Sequence, residues 1–247
     1  MTVLEYNLPE WKNPLRFFGP EINGRDDFFI ASSGEAPLFE YLLFFDSRAV
    51  GRLYGESLAC RLNAFLEGKK FLMICRPLEI TTWATLLNFL RLNAIQAEKL
   101  ITNMGFVDFT PKKAEILEDN MSQIKFLMGR QAAAVSEAGI YASSAEEEIT
   151  LFVTTYDDDF KGYLKEQIKK FQTILINTPI VSRDINIPRK RPAVFFEMLH
   201  ETRAFNEQLG ARFMVSPPPF DENLTYDAVH YTRAGADLIF SLIKEKL

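Results

Sequence analysis

The hydrophobic positions of the chain form short uninterrupted runs that alternate with longer amphipathic segments. The clearest run is Tyr41–Phe45, five apolar or aromatic residues that lead directly into the polar pair Asp46-Ser47. Such runs are typical of strands buried on both faces of a parallel sheet. Open α/β sheets bind their ligands just beyond the carboxyl ends of these strands, so the turn at Ser47 is the first candidate site.

The remaining runs and amphipathic segments follow one another in the order strand, helix, strand, which predicts parallel strands joined by right-handed crossovers. The predicted strands are Tyr41–Phe45, Lys70–Cys75, Lys99–Met104, Thr173–Asn177 and Arg212–Val215. The predicted helices are Arg52–Leu66, one through Trp83–Leu90 capped by Thr81 or Thr82, Ala114–Ala138, Lys161–Lys170, Pro192–Gly210 and Ala234–Leu247. We therefore expect an α/β fold, a three-layer α/β/α sandwich around a mainly parallel five-stranded sheet.

Two segments do not fit this alternation. Residues 1–40 form an extension interrupted by prolines, with a strand candidate at Asp27–Ala31, and we expect it to pack on a core domain formed by residues 41–247. Residues 142–159 form an acidic insertion that contains the alternating stretch Ile149–Thr154. An insertion of this size either covers the active-site crevice or decorates the surface.

Composition restricts the class of protein. A length of 247 residues with 47% hydrophobic residues fits one domain, or at most two, with a sizeable core. No apolar run reaches the roughly 18 residues of a membrane span, and no basic segment precedes an apolar one at the N-terminus, so we expect a soluble, cytoplasmic protein. A net charge of −5 argues against a nucleic-acid partner, and the dense basic cluster Arg183–Arg191 is either a solvated loop or an anion-binding patch. Cys60 and Cys75 lack the spacing of a disulfide framework or a zinc site, and we expect both to be buried and reduced.

A serine that follows a buried strand is a nucleophile only if a base reaches its hydroxyl and a third group orients that base. The chain has two histidines. His200 lies within a helical pattern and is interpreted as a helix-surface or packing residue. His230 lies in a polar turn three residues after Asp227, a spacing that lets the carboxylate fold back onto the imidazole. The sequence therefore offers Ser47, His230 and Asp227 as nucleophile, base and orienting group.

A second serine turn, Ser32-Ser33, lies in the N-terminal extension and competes with Ser47. No helical pattern follows it, because Pro37 interrupts the chain. We therefore prefer Ser47 as the candidate nucleophile.

Phe45-Asp46-Ser47 after a strand and Asp227-x-x-His230 before the last helix resemble the first and last blocks of the SGNH (GDSL-type) hydrolase family. The resemblance covers about residues 40–247. It implies a flavodoxin-like sheet and a catalytic triad of Ser47, Asp227 and His230. It also implies hydrolysis of a small acylated substrate through an acyl-enzyme, with no metal or organic cofactor.

Family members complete an oxyanion hole with a glycine after the second strand and an asparagine in a Gly-x-Asn-Asp loop after the third. In this chain the glycine position is Glu79 or Ile80, and the loop has Val107 in place of the asparagine, which removes a side-chain donor. Asn103 is either a substitute donor or an amide hydrogen-bonded within the strand-end turn. The candidates for oxyanion or substrate contacts are Arg48, Asn103, Gly105 and Asp108.

Three functions remain open at this point, and so does the oligomeric state. The first is a serine esterase, the second an acyltransferase that uses the same triad, and the third a non-catalytic protein that binds an acylated ligand or a partner in the crevice. Three positions depart from the family pattern and favour the non-catalytic protein: Phe45, Glu79 or Ile80, and Val107. The presence of all three triad candidates favours catalysis. A Rossmann-type nucleotide binder is disfavoured because no predicted strand is followed by a Gly-x-Gly-x-x-Gly turn.

Overall fold

The structure is a computed structural model of the chain. It describes residues 29–33, 38–50, 56–75, 80–142, 148–181, 193–219, 221–227 and 229–247. Residues 1–28 of the extension, the candidate glycine position Glu79 and the basic cluster Arg183–Arg191 lie outside the described residues.

The described residues form the predicted alternation of strands and helices. The strands are β1 (Phe29–Ser33), β2 (Leu38–Phe45), β3 (Phe71–Cys75), β4 (Gln96–Thr102), β5 (Ala133–Ala142), β6 (Glu148–Tyr156), β7 (Gln172–Ile176) and β8 (Phe213–Val215). The helices are α1 (Leu58–Phe65), α2 (Trp83–Asn93), α3 (Phe106–Phe109), α4 (Ala114–Met128), α5 (Asp158–Ile168), α6 (Ala193–Gln208) and α7 (Arg233–Lys244).

The main sheet has the strand order β1-β3-β2-β4-β7-β8. From β3 to β8 all neighbouring strands are parallel. The five predicted strands therefore occur in the spatial order 2-1-3-4-5, which is the flavodoxin-like order. The predicted α/β fold with a five-stranded parallel sheet is confirmed.

Alternate residues of β2 face the two sides of this sheet. Leu42 and Phe44 pack in a cluster with residues of α2, α4 and α5. Leu43 and Phe45 pack in a second cluster with residues of α1 and α7. All four side chains are fully buried, as expected for a central strand covered on both faces. Helices on both faces of the sheet give the three-layer α/β/α sandwich.

The predicted strand at Asp27–Ala31 is present as β1, which adds an antiparallel edge strand beside β3. The register places Phe29 opposite Cys75 and Ser33 opposite Phe71. Ser33 therefore lies at the amino edge of the parallel sheet, whereas Ser47 follows the carboxyl end of β2. The rival serine turn is on the wrong side of the sheet to share a site with Ser47.

The prediction of one helix from Ala114 to Ala138 is wrong. Helix α4 ends at Met128, where Gly129 takes a left-handed conformation with φ 69° and its N–H donates to the carbonyl of Lys125. This is a common way to end a helix, because glycine adopts positive φ without strain. The following segment is β5, which pairs with β6 in a separate antiparallel ribbon. The predicted insertion 142–159 therefore contains only the second strand of this ribbon.

Smaller differences concern helix ends and cysteines. Helix α1 begins at Leu58, after the N-cap Ser57, and its predicted start at Arg52 lies outside the described residues. Thr82 caps α2 and exchanges hydrogen bonds with Thr85. Cys75 is buried as expected, but Cys60 is only half-buried, and both thiols are free. No helix within the described ranges has the length and hydrophobicity that a membrane crossing requires.

Candidate active site

The nucleophile candidate lies in a short 3-10 helix, Ser47–Ala49, at the carboxyl end of β2. Asp46 caps this helix, and its Oδ1 accepts the backbone N–H of Arg48 at 2.9 Å. Short polar side chains at such positions satisfy N–H groups that have no partner within the helix. The turn therefore ends the strand sharply and leaves Ser47 half-buried at the edge of the sheet.

The turn of His230 is held by Asp227 in a similar way. Asp227 Oδ1 accepts the backbone N–H groups of Val229 at 3.1 Å and of His230 at 2.8 Å. The backbone N–H of Tyr226 donates to the carbonyl of His230 at 3.1 Å and closes the turn. Thr232 then caps α7 through the N–H of Gly235. These backbone hydrogen bonds to Oδ1 fix the orientation of the Asp227 carboxylate, and Oδ2 is left to contact the imidazole.

The structure brings Ser47, His230 and Asp227 together. Ser47 Oγ lies 3.1 Å from His230 Nε2, and Asp227 Oδ2 lies 2.8 Å from His230 Nδ1. The ring of Tyr226 stacks on the imidazole with 5.6 Å between centroids and 12° between planes. A hydroxyl, an imidazole and a carboxylate in this order, at these distances, have the geometry of a nucleophile with its base and orienting group.

A buried ionic cluster lies beneath the Ser47 turn. The Arg48 guanidinium forms an ion pair with Asp46, with Nη2 at 3.0 Å from Oδ2 and Nε at 3.1 Å from both carboxylate oxygens. Asn103, directly after β4, accepts the backbone N–H of Asp46 on Oδ1 and donates from Nδ2 to Asp46 Oδ1, both at 2.9 Å. Asp46, Arg48 and Asn103 are all at most 1% exposed. These contacts join the Ser47 turn, which follows β2, to the end of the neighbouring strand β4. This is the point at which the strand order of the sheet reverses direction.

Two aromatic side chains complete the surroundings of the guanidinium. The Arg48 guanidinium carbon lies 5.1 Å from the ring centroid of Phe106, a cation–π contact. Burial raises the pKa of Tyr231 to about 12, an effect that Arg48 opposes and Asp46 reinforces. Within the described ranges, neither Arg48 Nη1 nor the Tyr231 hydroxyl has a hydrogen-bond partner. The positive charge is therefore held by one carboxylate and one ring.

The loop after β4 is fixed by Asp108. Its Oδ1 accepts the N–H of Trp83 at 3.0 Å, and its Oδ2 accepts the N–H of Gly105 at 3.1 Å. Gly105 has φ 105°, and a Cβ at this position would lie 2.5 Å from Asn206 Oδ1. Only glycine fits both this conformation and this close approach.

The four residues expected to contact the oxyanion or the substrate have other protein groups as partners in the structure, and their contact with a substrate stays a prediction. The Arg48 and Asp108 side chains are fully buried and engaged by other protein groups. The Asn103 amide binds Asp46, and the Gly105 N–H binds Asp108. Of the two interpretations of Asn103, the amide bonded within the strand-end region agrees with the geometry. These four residues contact the Ser47 turn or the loop after β4 on the buried side of the site.

Sequence reasoning missed the contributions of Asp46, Tyr226 and Tyr156. An aspartate directly before a short helix is a signal for an N-cap, and this signal could have identified the role of Asp46. Tyr226 is adjacent to Asp227, but nothing in its spacing indicates that its ring stacks on His230. Tyr156 lies on the ribbon, and its hydroxyl donates to Asp108. Among the described residues, no group of three or more His, Cys, Asp or Glu side chains is arranged to hold a metal ion.

A scan against protein-family models finds no match, and a search of curated proteins finds none. Among solved structures, the chain is similar to a candidate GDSL-like lipase from Parabacteroides merdae, with 17% identity, a TM-score of 0.48 and coverage of 83% of this chain and 94% of the other. It is also similar to a candidate platelet activating factor from Streptococcus pneumonia, with 11% identity, a TM-score of 0.45 and coverage of 85% and 84%.

An acetyl xylan esterase matches with 11% identity, a TM-score of 0.44 and coverage of 84% of this chain and 99% of the other. At these scores the matches do not say what this chain acts on. The strand order of the sheet agrees with an SGNH-hydrolase-like fold, and so do the positions of Ser47 and His230 at its carboxyl edge. The SGNH hydrolases are the family that the sequence resembles.

Proposed function

We propose that the protein is a serine hydrolase that cleaves carboxylic esters through an acyl-enzyme. One observation carries this proposal: Ser47 Oγ lies within hydrogen-bond distance of His230 Nε2 while Asp227 holds His230 Nδ1. The two turns come from opposite ends of the chain. Neither turn needs the hydroxyl-to-imidazole contact for its own hydrogen bonding, so a structural explanation for it is weak.

In the proposed reaction, His230 Nε2 takes the hydroxyl proton as Ser47 Oγ attacks the acyl carbon. Asp227 stabilises the resulting imidazolium and keeps the ring in the orientation that presents Nε2 to the serine. The imidazolium then returns the proton to the leaving alcohol, and the acyl group remains on Ser47. Water, deprotonated by the same imidazole, attacks the acyl carbon of the acyl-enzyme. The imidazolium then returns this proton to Ser47 Oγ as the carboxylic acid leaves.

The negative charge that develops on the acyl oxygen needs donors near Ser47. The backbone N–H of Ser47 is a candidate, because no acceptor among the described residues binds it. Asn103 is not assigned as a donor, since its side chain is fully buried and its amide donates to Asp46. Removal of one such donor costs roughly 2.7 to 4 kcal/mol of transition-state stabilisation in related hydrolytic sites. We therefore expect slow turnover of small activated esters.

Water is the proposed acyl acceptor because the imidazole is open to solvent. The His230 side chain is 20% exposed, so water can reach the position from which it attacks. Turnover of an activated ester in increasing concentrations of a small alcohol tests this choice. Release of the free acid as the main product supports hydrolysis, whereas preferential transfer to the alcohol identifies an acyltransferase.

The serine itself is tested with a serine-reactive phosphonate and peptide mapping. We expect the label on Ser47, and we expect Ser47→Ala to lose both the label and several powers of ten in kcat. Ser33→Ala is the matched control, since β1 places Ser33 at the opposite edge of the sheet, and it should behave as the wild type. A label on Ser33 would contradict the assignment. No label on any serine, with no turnover, would favour a binding protein.

A further inference from the structure

One buried carboxylate connects two loops at the edge of the sheet. Asp108 is 1% exposed, and its oxygens accept N–H groups from Trp83, the first residue of α2, and from Gly105, which precedes α3. N–H groups at helix starts have no partner within their own helix, and the helix dipole favours a negative charge there. Asp108 therefore joins the loop after β3 to the loop after β4.

The third donor to this carboxylate comes from the antiparallel ribbon. The hydroxyl of Tyr156, the last residue of β6, donates to Asp108 Oδ1. The Tyr156 ring packs edge-on against Phe109 and Phe160, with centroids at 5.2 and 4.7 Å. The ribbon is also attached through its backbone, because Lys112 and Phe152 exchange two N–H to carbonyl bonds of 2.9 and 2.7 Å. The ribbon is thus bonded to the segment around Asp108 both at its base, through Tyr156, and near its middle, through Phe152.

The segment that Asp108 holds contacts the Ser47 turn directly. Asn103 binds both the backbone and the carboxylate of Asp46. Three residues later, the ring of Phe106 lies against the Arg48 guanidinium. Residues 103–106 therefore support the turn that carries the nucleophile, and Asp108 fixes the middle of this segment at Gly105.

We propose that Tyr156 is a positioning residue for the reaction, which acts through Asp108 to hold residues 103–106 against the Ser47 turn. This role rests on the proposed serine hydrolase function. It also gives the ribbon a function beyond surface decoration, since the ribbon supplies the donor.

The position of residues 103–106 is sensitive to the charge of Asp108. As a carboxylate, Asp108 accepts three donors, whereas a protonated Asp108 would place its own O–H opposite one of them. Burial raises the pKa of Asp108 to about 6, and the hydrogen bonds from Tyr156, Trp83 and Gly105 and the charge of Lys112 oppose this rise. Lys112 is the cationic group facing Asp108, and burial lowers its pKa to about 7. Loss of the Tyr156 hydroxyl therefore moves the protonation of Asp108 to higher pH.

The test is Tyr156→Phe in the full chain, assayed for kcat and KM on a small activated ester across pH 5 to 9. We expect kcat to fall about tenfold with KM within about twofold, because the positioned atoms act on the transition state more than on substrate binding. The acid limb of the kcat profile should move to higher pH. Tyr163→Phe, a half-buried tyrosine on α5 packed against the same core, is the matched control and should leave both unchanged.

A second variant separates positioning from loss of folding. In an Asp108→Ala background the acceptor of the Tyr156 hydroxyl is absent, so adding Tyr156→Phe should not lower kcat further. Independent, multiplicative effects of the two changes would overturn the inference. A lower unfolding temperature in Tyr156→Phe with unchanged kcat and acid limb would also overturn it and leave Tyr156 a packing residue. If the wild type neither turns over esters nor takes the phosphonate on Ser47, the proposed function fails first, and the inference fails with it.

Discussion

Replacing Arg48 with methionine should severely destabilise the protein, although the substitution lies beside the nucleophile and not in the middle of the core. The guanidinium is fully buried and is bonded to both oxygens of Asp46. Methionine fills most of the same volume without a charge. Among the residues that the structure describes, the Asp46 carboxylate would then keep two donors, the backbone N–H of residue 48 and the Asn103 amide.

The expected magnitude follows from burial and not from the number of contacts. Removing one partner of a buried ion pair typically costs 3–5 kcal/mol, roughly, because the remaining charge stays uncompensated in a low-dielectric interior. The lost contact with Phe106 adds about 0.5–2 kcal/mol. Domains of this size typically unfold with about 5–15 kcal/mol in total. Arg48→Met should therefore remove a large part of the stability.

Denaturant unfolding followed by circular dichroism measures this loss. Arg130→Met is the matched control, because Arg130 pairs with Asp157 and Asp159 at the surface, where ion pairs contribute little. The double change Asp46→Asn with Arg48→Met removes both charges and keeps Oδ1 as the acceptor of the residue-48 backbone N–H and the Asn103 amide. It should therefore recover much of the stability lost by Arg48→Met alone. Equal losses for Arg48→Met and Arg130→Met would refute the reasoning, because they would show that the buried carboxylate tolerates the loss of its partner.

Two further changes test the loop and the triad. Gly105→Ala should destabilise the protein by roughly 1–3 kcal/mol because alanine is strained at this positive φ, and the overlap of its Cβ with Asn206 Oδ1 should add to this loss. Denaturant unfolding measures the total loss. Adding Asn206→Ala to the Gly105→Ala variant should recover only the part of the loss that the overlap causes. Asp227→Asn should keep the backbone bonds on Oδ1 but face Nδ2 toward His230 Nδ1. That amide favours the imidazole tautomer that cannot accept the Ser47 proton, so kcat should fall about ten-thousandfold with an unchanged unfolding temperature, and a loss below tenfold would contradict a triad.

The central strands of the sheet could be predicted because they are buried on both faces. Burial makes Tyr41–Phe45 and Phe71–Cys75 continuous apolar runs, and such a run needs no information from elsewhere in the chain. The His230 turn was predictable for a related reason. Asp227 and His230 are three residues apart, so their contact is set by local chain geometry. The flavodoxin-like order of the strands was implied by the family resemblance.

The ribbon could not be predicted in the same way. The segment Ala133–Ala142 is rich in alanine, which favours a helix by intrinsic propensity, and it becomes a strand because β6 pairs with it across nearly its whole length. The bonds between Asn103 and Asp46 join residues 57 positions apart. No local pattern indicates such a partner, so the sequence left the role of Asn103 open. Contacts set by tertiary pairing override local preference at both places.

Three aspartates at the exits of the sheet show why the site was only partly predictable. Asp46, Asp108 and Asp227 all accept backbone N–H groups within three residues of their own position, so the sequence gives them the same local role. They differ in the side chains and N–H groups that contact the remaining lone pairs of each carboxylate. Asp46 faces a guanidinium, and Asp108 faces a tyrosine hydroxyl and further N–H groups. Asp227 faces an imidazole, which can gain and lose a proton, and the other nitrogen of that imidazole reaches the hydroxyl of Ser47. Among these three aspartates, only Asp227 contacts a ring whose other nitrogen lies within hydrogen-bond distance of a serine hydroxyl, and that distinction depends on tertiary contacts.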